Sequence, residues 1–182
     1  SNLFAGTNGG VFLSTNIGTN WTVVNIGLAA STSAGVTNTF VLAFAVSGTN
    51  LFAATPGGVF LSTNSGASWT VVNTGLTNTH VRGLVVSGSN LFAATPGGVF
   101  RSSNNGANWT AVNTGLTNTT VWSLAVSGTN LFAGTYSNGS GGVFRSTDNG
   151  ASWTAVNTGL TTPAIKAFAV MGTDVFAGTG NA

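Results

Sequence analysis

A repeat of about forty residues runs through this chain. The segment Ser-x-Asn/Asp-x-Gly-x-x-Trp occurs at one fixed place in the repeat, as STNIGTNW at 14–21, STNSGASW at 62–69, SSNNGANW at 102–109 and STDNGASW at 146–153. The apolar triplet LFA at 3, 51, 91 and 131, and VFA at 175, recur in the same register. Such a period indicates one supersecondary unit copied in series, in which each copy buries its apolar faces against its neighbours.

Each unit is predicted to contain four β-strands. In the unit 81–120 the runs VRGLVVS at 81–87, LFAAT at 91–95, GVFRSS at 98–103 and WTAVNTG at 109–115 are rich in β-branched and aromatic residues. Segments rich in Gly, Asn and Pro separate these runs and favour tight turns. Glu is absent, and Gly, Asn and Thr are too frequent for helices.

Four strands in about forty residues are typical of a β-propeller blade. We therefore predict an all-β fold, a β-propeller of four-stranded antiparallel blades, with a β-solenoid or a stacked open array as alternatives. The chain is expected to be one domain over residues 1–182. Its repeats span approximately 1–40, 41–80, 81–120 and 121–164, with a partial repeat at 165–182.

The recurring segments resemble the Asp-box, or BNR repeat, of sialidase-like propellers, where the box is the hairpin between the third and fourth strands of a blade. The Asn or Asp can accept backbone N–H bonds within the turn, Gly permits positive φ, and Trp can pack between sheets. Only the last copy carries the family's Asp. The residues predicted to be structural are Asn16, Gly18, Trp21, Asn64, Gly66, Trp69, Asn104, Gly106, Trp109, Asp148, Gly150 and Trp153.

Catalysis is not expected, despite the resemblance to sialidases. A sialidase would require an arginine triad, a Tyr nucleophile with a Glu partner, and an acidic acid/base residue. This chain has no Glu, one Tyr and two Asp, of which Asp148 lies in a box and Asp174 in a turn. Glycoside hydrolysis requires two carboxylates beside the scissile bond. We predict a protein with no catalytic residues, no metal site and no cofactor.

The charge content restricts the partners. Charged residues make up 3% of the chain, against roughly 25% in an average globular protein. A net charge of +2 does not favour nucleic-acid binding, which requires clustered Lys and Arg. No apolar run approaches the roughly 18 residues of a membrane span. The low charge is typical of a surface that is shielded by glycans or hidden in an assembly, and we expect an extracellular or cell-surface location.

A candidate binding site lies where the repeats differ from one another. The first strands are predicted to begin at Val41, Val81, Val121 and Ile165, and the residues beside these positions change from copy to copy. Insertions at 28–40 and 136–142 are predicted to emerge on the same face, and such loops commonly carry binding sites. The candidate ligand-binding residues are His80, Arg82, Trp122 and Lys166.

The terminal strands do not match a simple closed ring. LFAGT at 3–7 and VFAGT at 175–179 are both predicted second strands, so a four-bladed ring would contain one strand too many. Three explanations are open. In the first the chain is a piece of a longer propeller, in the second two chains form an eight-bladed ring, and in the third the surplus strand completes a blade in a neighbouring chain. Our leading hypothesis is a non-catalytic extracellular scaffold that self-assembles through its terminal strands into a filament or ring. The alternative is a glycan-binding, lectin-like module.

Overall fold

The computed structural model describes residues 2–28, 30–31, 37–137, 139–162 and 164–180. Strands and turns form this part of the chain, which contains no helix. It accordingly has no helix long and apolar enough to cross a membrane. The predicted all-β class, built from four-stranded antiparallel sheets, is confirmed.

The first sheet, blade 1, has three strands. These are β1 (Leu3–Thr7), β2 (Gly10–Ser14) and β3 (Thr22–Val23), which pair in that order. A short hairpin of β4 (Ala30–Ser31) and β5 (Thr37–Asn38) follows in the long connection to the next sheet.

Three complete blades and one half-blade follow, each with its strands paired in sequence order. Blade 2 consists of β6 (Ala43–Ser47), β7 (Asn50–Thr55), β8 (Gly58–Ser62) and β9 (Thr70–Val71). Blade 3 consists of β10 (Gly83–Ser87), β11 (Asn90–Thr95), β12 (Gly98–Ser102) and β13 (Thr110–Ala111). Blade 4 consists of β14 (Val121–Ser127), β15 (Asn130–Ser137), β16 (Ser140–Ser146) and β17 (Thr154–Ala155). Half-blade 5 consists of β18 (Ile165–Met171) and β19 (Asp174–Thr179).

The hydrophobic core lies between successive sheets, because neighbouring side chains of a strand point to opposite faces. In β7, Leu51 and Ala53 pack with residues of blade 1, whereas Phe52 and Ala54 pack with residues of blade 3. A third cluster joins blades 3 and 4 around Phe92. Blades 2 and 3 therefore depend on both neighbours for burial.

The fourth strand is much shorter than predicted. The run 109–115 was expected to be one strand, but β13 contains only Thr110 and Ala111. The backbone N–H of Val112 still donates to the Val99 carbonyl at 2.9 Å. Beyond it the side chain of Asn113 takes the place of the backbone as the partner of the third strand. Its Oδ1 accepts the N–H of Val99 at 2.8 Å, and its Nδ2 donates to the carbonyl of Gly97 at 3.1 Å.

Two first strands also begin later than predicted, at Ala43 and Gly83 instead of Val41 and Val81. The backbone N–H of Val41 donates to the Thr7 carbonyl at 3.0 Å, and that of Val81 donates to Thr55 at 3.0 Å. These residues therefore bridge to the preceding blade before the strand starts.

The two equivalent terminal strands lie in separate sheets. Strand β1 pairs with β2 but has no first strand beside it, and β19 pairs with β18 but has no third strand beside it. Each therefore has one open edge within the described part of the chain.

Candidate functional site

The recurring box forms the same turn in all four copies. In blade 3 the Oδ1 of Asn104 accepts the N–H of Asn108 at 2.9 Å, and the Oγ of Ser102 accepts the N–H of Gly106 at 2.9 Å. The matching side-chain bonds are present in the other three boxes. The box glycines have φ between 80° and 85°, as predicted. Asn105, just before Gly106, also has positive φ, which the sequence did not reveal.

Asp148 adds one hydrogen bond to this turn through its second carboxylate oxygen. The Oγ of Ser152 donates to Oδ2 of Asp148 at 2.6 Å, and the backbone N–H of Ser152 donates to Oδ1 at 2.9 Å. Ser146 Oγ donates to Oδ1 at 2.7 Å. These hydrogen bonds, above all that from the Ser152 side chain, lower the pKa of Asp148 from 3.8 to about 2.

We expect D148N to remove a pH-dependent part of the stability. Because the folded-state pKa is below the ordinary value of 3.8, the carboxylate's contribution is present above that pH and is lost as the pH falls through about 2. Urea denaturation at several pH values should show this loss in the parent, a smaller loss in S152A, and none in D148N. An unchanged loss in D148N would contradict the assignment.

The box tryptophans connect each blade to the one before it. Trp69, Trp109 and Trp153 are each 4% exposed. Their Nε1 groups donate to carbonyls of the preceding fourth-strand segment at 2.8 Å, on Val24, Val72 and Val112 respectively. Trp21, in the first blade that the structure describes, is 44% exposed. The predicted packing between sheets is therefore found for the three internal tryptophans.

A second repeated element was missed by sequence reasoning. In the unit 81–120 the sequence predicts that this element belongs to the fourth strand. Its copies are VNIG at 24–27 and VNTG at 72–75, 112–115 and 156–159. Their Asn side chains instead clamp the third strand, as described for Asn113. Their Gly backbones lie against the backbone of the next box Trp, except at Gly159, where no such Trp follows. The Asn-x-Gly spacing, which is the same in all four copies, is the sequence feature that could have indicated this element.

The structure brings three of the candidate ligand-binding residues together. The guanidinium carbon of Arg82 lies 3.8 Å from the ring centroid of Trp122, and the Nζ of Lys166 lies 5.6 Å from it. They come from the first-strand entrances of blade 3, blade 4 and half-blade 5. The Trp122 Nε1 donates to the carbonyl of Tyr136 at 3.1 Å. We call His80, Arg82, Trp122 and Lys166 the entrance cluster.

His80 is exposed at the edge of this cluster, and its backbone N–H donates to Asn78 Oδ1 at 3.1 Å. Partial burial and, to a smaller extent, the charge of Arg82 lower the pKa of His80. Burial also lowers the pKa of Arg82. The Nη1 of Arg82 is buried and has no hydrogen-bond partner among the described residues.

Each of the two insertions contacts a loop of a neighbouring connection or hairpin. Asn118, in the connection before blade 4, donates to the Ser140 carbonyl at 3.1 Å in the extended hairpin of that blade. Thr39, in the connection before blade 2, donates to the Asn8 carbonyl at 3.4 Å. The insertions also include 29, 32–36 and 138, which lie outside the described residues. No group of His, Cys, Asp or Glu suited to a metal ion is found in the described ranges.

The sequence matches a family model described as the DUF6242 beta propeller domain over residues 34–171, which is more than half of the chain. The chain belongs to this propeller family. The predicted β-propeller fold is thereby confirmed. None of the curated proteins compared with the sequence matches it.

Solved structures show the same fold at low identity. The GH74 xyloglucanase from Xanthomonas campestris matches with a TM-score of 0.67 and 17% identity over 92% of this propeller and 30% of the enzyme. The extracellular domain of a putative hybrid two component system from B. thetaiotaomicron matches with a TM-score of 0.67 and 17% identity, over 93% and 22% of the two chains. The computationally designed Ika8 protein matches with a TM-score of 0.63 and 14% identity, over 98% of this propeller and 52% of Ika8. This propeller thus spans less than a third of the two natural proteins.

Proposed function

We propose that this protein is a non-catalytic, extracellular repeat scaffold whose copies join head to tail through the faces of their terminal blades. One observation carries the proposal. Blade 1 exposes the surface that other blades pack against a preceding blade, and the region beside blade 4 exposes the surface that other blades pack against a following one. We also infer that the boxes are Asp-boxes of a sialidase-like propeller without its catalytic residues.

The first half of the junction is exposed on blade 1. Trp21 is 44% exposed, whereas its three equivalents are each 4% exposed. Leu3 is 41% exposed, whereas its equivalents Leu51, Leu91 and Leu131 are at most 5% exposed. Blade 1 therefore presents to solvent the face that blades 2, 3 and 4 bury against a preceding blade.

The second half is exposed at the other end, beside blade 4. Leu160 is 38% exposed, whereas its equivalents Leu28, Leu76 and Leu116 are at most 8% exposed. A cavity of about 240 Å³ lies next to it. Its lining consists of Phe132, Val143, Val156, Thr158, Leu160, Phe168, Val175 and Ala177. At the junction of blades 3 and 4, this position is filled by Phe144 of the third strand and by Trp153, just before the fourth strand.

The occupant we propose is the pair of strands β2 and β3, with Trp21, from blade 1 of a second copy. At an internal junction the box Trp donates from Nε1 to a Val carbonyl and from its backbone N–H to a carbonyl two residues later, as Trp153 does with Val112 and Thr114. The corresponding acceptors at the open end are Val156 and Thr158. Trp21 of the second copy would meet both of them and fill the cavity.

The terminal strands allow this junction to form by strand exchange. In blade 1, β1 (LFAGT) pairs with β2 from Leu3 opposite Ser14 to Thr7 opposite Gly10. The equivalent run VFAGT in β19 has an open edge and nearly the same sequence. Replacing β1 by β19 as the partner of β2 conserves the backbone pairing, while the docked faces bury new apolar surface.

The composition and the structural neighbours support the same proposal. With 3% charged residues, little electrostatic repulsion opposes association. The neighbour from B. thetaiotaomicron is an extracellular domain, which supports an extracellular location. The non-catalytic assignment is supported by the two acids of the chain, which occupy a box and a hairpin turn.

Light scattering after gel filtration tests this proposal with single-residue variants. The parent should form species larger than 18.1 kDa as its concentration rises. Trp21→Ala and Gly159→Ala should each raise the protein concentration at which larger species form by at least tenfold. A Cβ at Gly159 meets nothing within 4 Å in the single chain, but would lie where the second copy's Trp21 backbone docks. Gly172→Ala, also at positive φ and in open space, is the matched control and should assemble like the parent.

Two deletions test the strand exchange. Removing 172–182 should reduce assembly because it removes β19, whereas removing 2–7 should increase it because β1 competes for the same position. A parent that stays at 18.1 kDa at every concentration, or deletions with equal effects, would overturn the proposal.

The alternative function, a glycan-binding module, is favoured by the meeting of Arg82, Trp122 and Lys166 at one place. A glycan array with the parent and a Trp122→Ala variant tests it. Binding that depends on Trp122 would favour this alternative, and an array without binding would leave the scaffold as the better account.

A further inference from the structure

The entrance cluster concentrates positive charge, and no acidic side chain within the described ranges lies beside it. The guanidinium carbon of Arg82 lies 3.8 Å from the ring centroid of Trp122, and the Nζ of Lys166 lies 5.6 Å from it. His80 is two residues before Arg82, and partial burial and the charge of Arg82 both lower the pKa of His80. Like charges placed together repel, so this arrangement gains stability when an anion binds.

The two acidic side chains of the chain are engaged or placed elsewhere. Asp148 receives hydrogen bonds from Ser146 and Ser152 in the box of blade 4. Asp174 pairs with Met171 at the far end of β18, while Lys166 is the second residue of that strand. Neither is positioned as the counter-ion of the entrance cluster.

Trp122 holds cations and is not an open stacking surface. The guanidinium of Arg82 lies in direct contact with the ring, at 3.8 Å from its centroid, and Lys166 approaches the same ring. Its Nε1 is bonded to the Tyr136 carbonyl. A neutral sugar stacking on Trp122 would have to displace these cations, whereas an anion would use them.

The charge of Arg82 is also incompletely compensated, because its buried Nη1 has no hydrogen-bond partner among the described residues. A guanidinium can donate two parallel N–H hydrogen bonds to the two oxygens of a carboxylate, or to two of the oxygens of a sulfate. We propose that the entrance cluster binds the carboxylate or sulfate group of a small acidic ligand, with Arg82 and Lys166 as the anion-binding groups and Trp122 as the residue that positions them.

The single histidine provides a direct readout by NMR. Sodium glucuronate and sodium sulfate are titrated into the parent protein, with sodium chloride at matched ionic strength and neutral glucose as reference solutes. The imidazole signals of His80 should shift saturably with glucuronate, sulfate or both, and the pKa of His80 should rise because the bound anion offsets the charge of Arg82. Which of the two anions binds identifies the preferred acidic group.

Variants identify the groups responsible. Lys166→Gln, which changes an exposed residue, and Arg82→Ala should each weaken anion binding at least tenfold. Arg101→Ala is the control, since Arg101 donates to the Asn149 carbonyl on blade 4, away from the cluster, and it should bind like the parent. A linear response equal to that of chloride, saturable binding of glucose, or equal weakening by Arg101→Ala would overturn the proposal.

Discussion

Trp109→Ala is expected to lower the free energy of unfolding by about 3–5 kcal/mol, the usual cost of truncating a buried Trp. Trp109 is 4% exposed and packs in the cluster between blades 2 and 3. Its Nε1 donates to the Val72 carbonyl and its backbone N–H to the Thr74 carbonyl, both at 2.8 Å. The truncation leaves a cavity and an unpaired carbonyl at a junction on which both blades depend.

Trp21→Ala is the matched control, because it changes the same repeat position where no blade precedes it. With 44% of Trp21 exposed, we expect a loss of at most about 1 kcal/mol in the monomer, as is usual for surface substitutions. Urea denaturation at low protein concentration, followed by circular dichroism, compares the two variants. Equal losses would mean that the box Trp stabilises its own turn and not the junction.

Gly115→Ala is expected to cost about 2–5 kcal/mol. The residue has φ of 87°, where a side chain adds about 1–2 kcal/mol of backbone strain. An added Cβ would also overlap the carbonyl oxygen of Trp153 in the next blade. Relieving that overlap requires the two backbones to separate, and overpacking of this kind commonly costs a further 1–3 kcal/mol or so.

Gly159→Ala separates the two contributions. Gly159 has nearly the same φ, 86°, but nothing lies within 4 Å of its Cβ position. Only the strain of about 1–2 kcal/mol should remain in the monomer. Thermal denaturation of both variants measures the difference. If they were equally destabilised, the close approach of the Gly115 and Trp153 backbones would contribute nothing to the junction.

The sequence predicted the sheet architecture because its period, turn residues and apolar runs all report local structure. The box residues could be assigned to a turn for the same reason, since the bonds of Asn104 stay within four residues. The shortened fourth strand was missed because the clamp by Asn113 reaches 14 residues back along the chain. Single-residue propensities carry no signal for a side chain that substitutes for a backbone partner.

The entrance cluster was predicted as a set of residues but not as an arrangement. Arg82, Trp122 and Lys166 are about forty residues apart, and their positions at successive first-strand entrances suggested proximity. The order of the contacts, with both cations on one indole, depends on side-chain directions across two blade junctions. The partial use of the Arg82 donors is likewise visible only in three dimensions.

The internal junctions are chemically interchangeable. Each is made by one box Trp reaching a carbonyl of the preceding blade at 2.8 Å, and by one Asn-x-Gly segment receiving the Trp backbone. A duplicated forty-residue unit would therefore carry the same Trp donor and the same Asn-x-Gly segment to the new junction. These hydrogen bonds by themselves set no limit on the number of blades in a series.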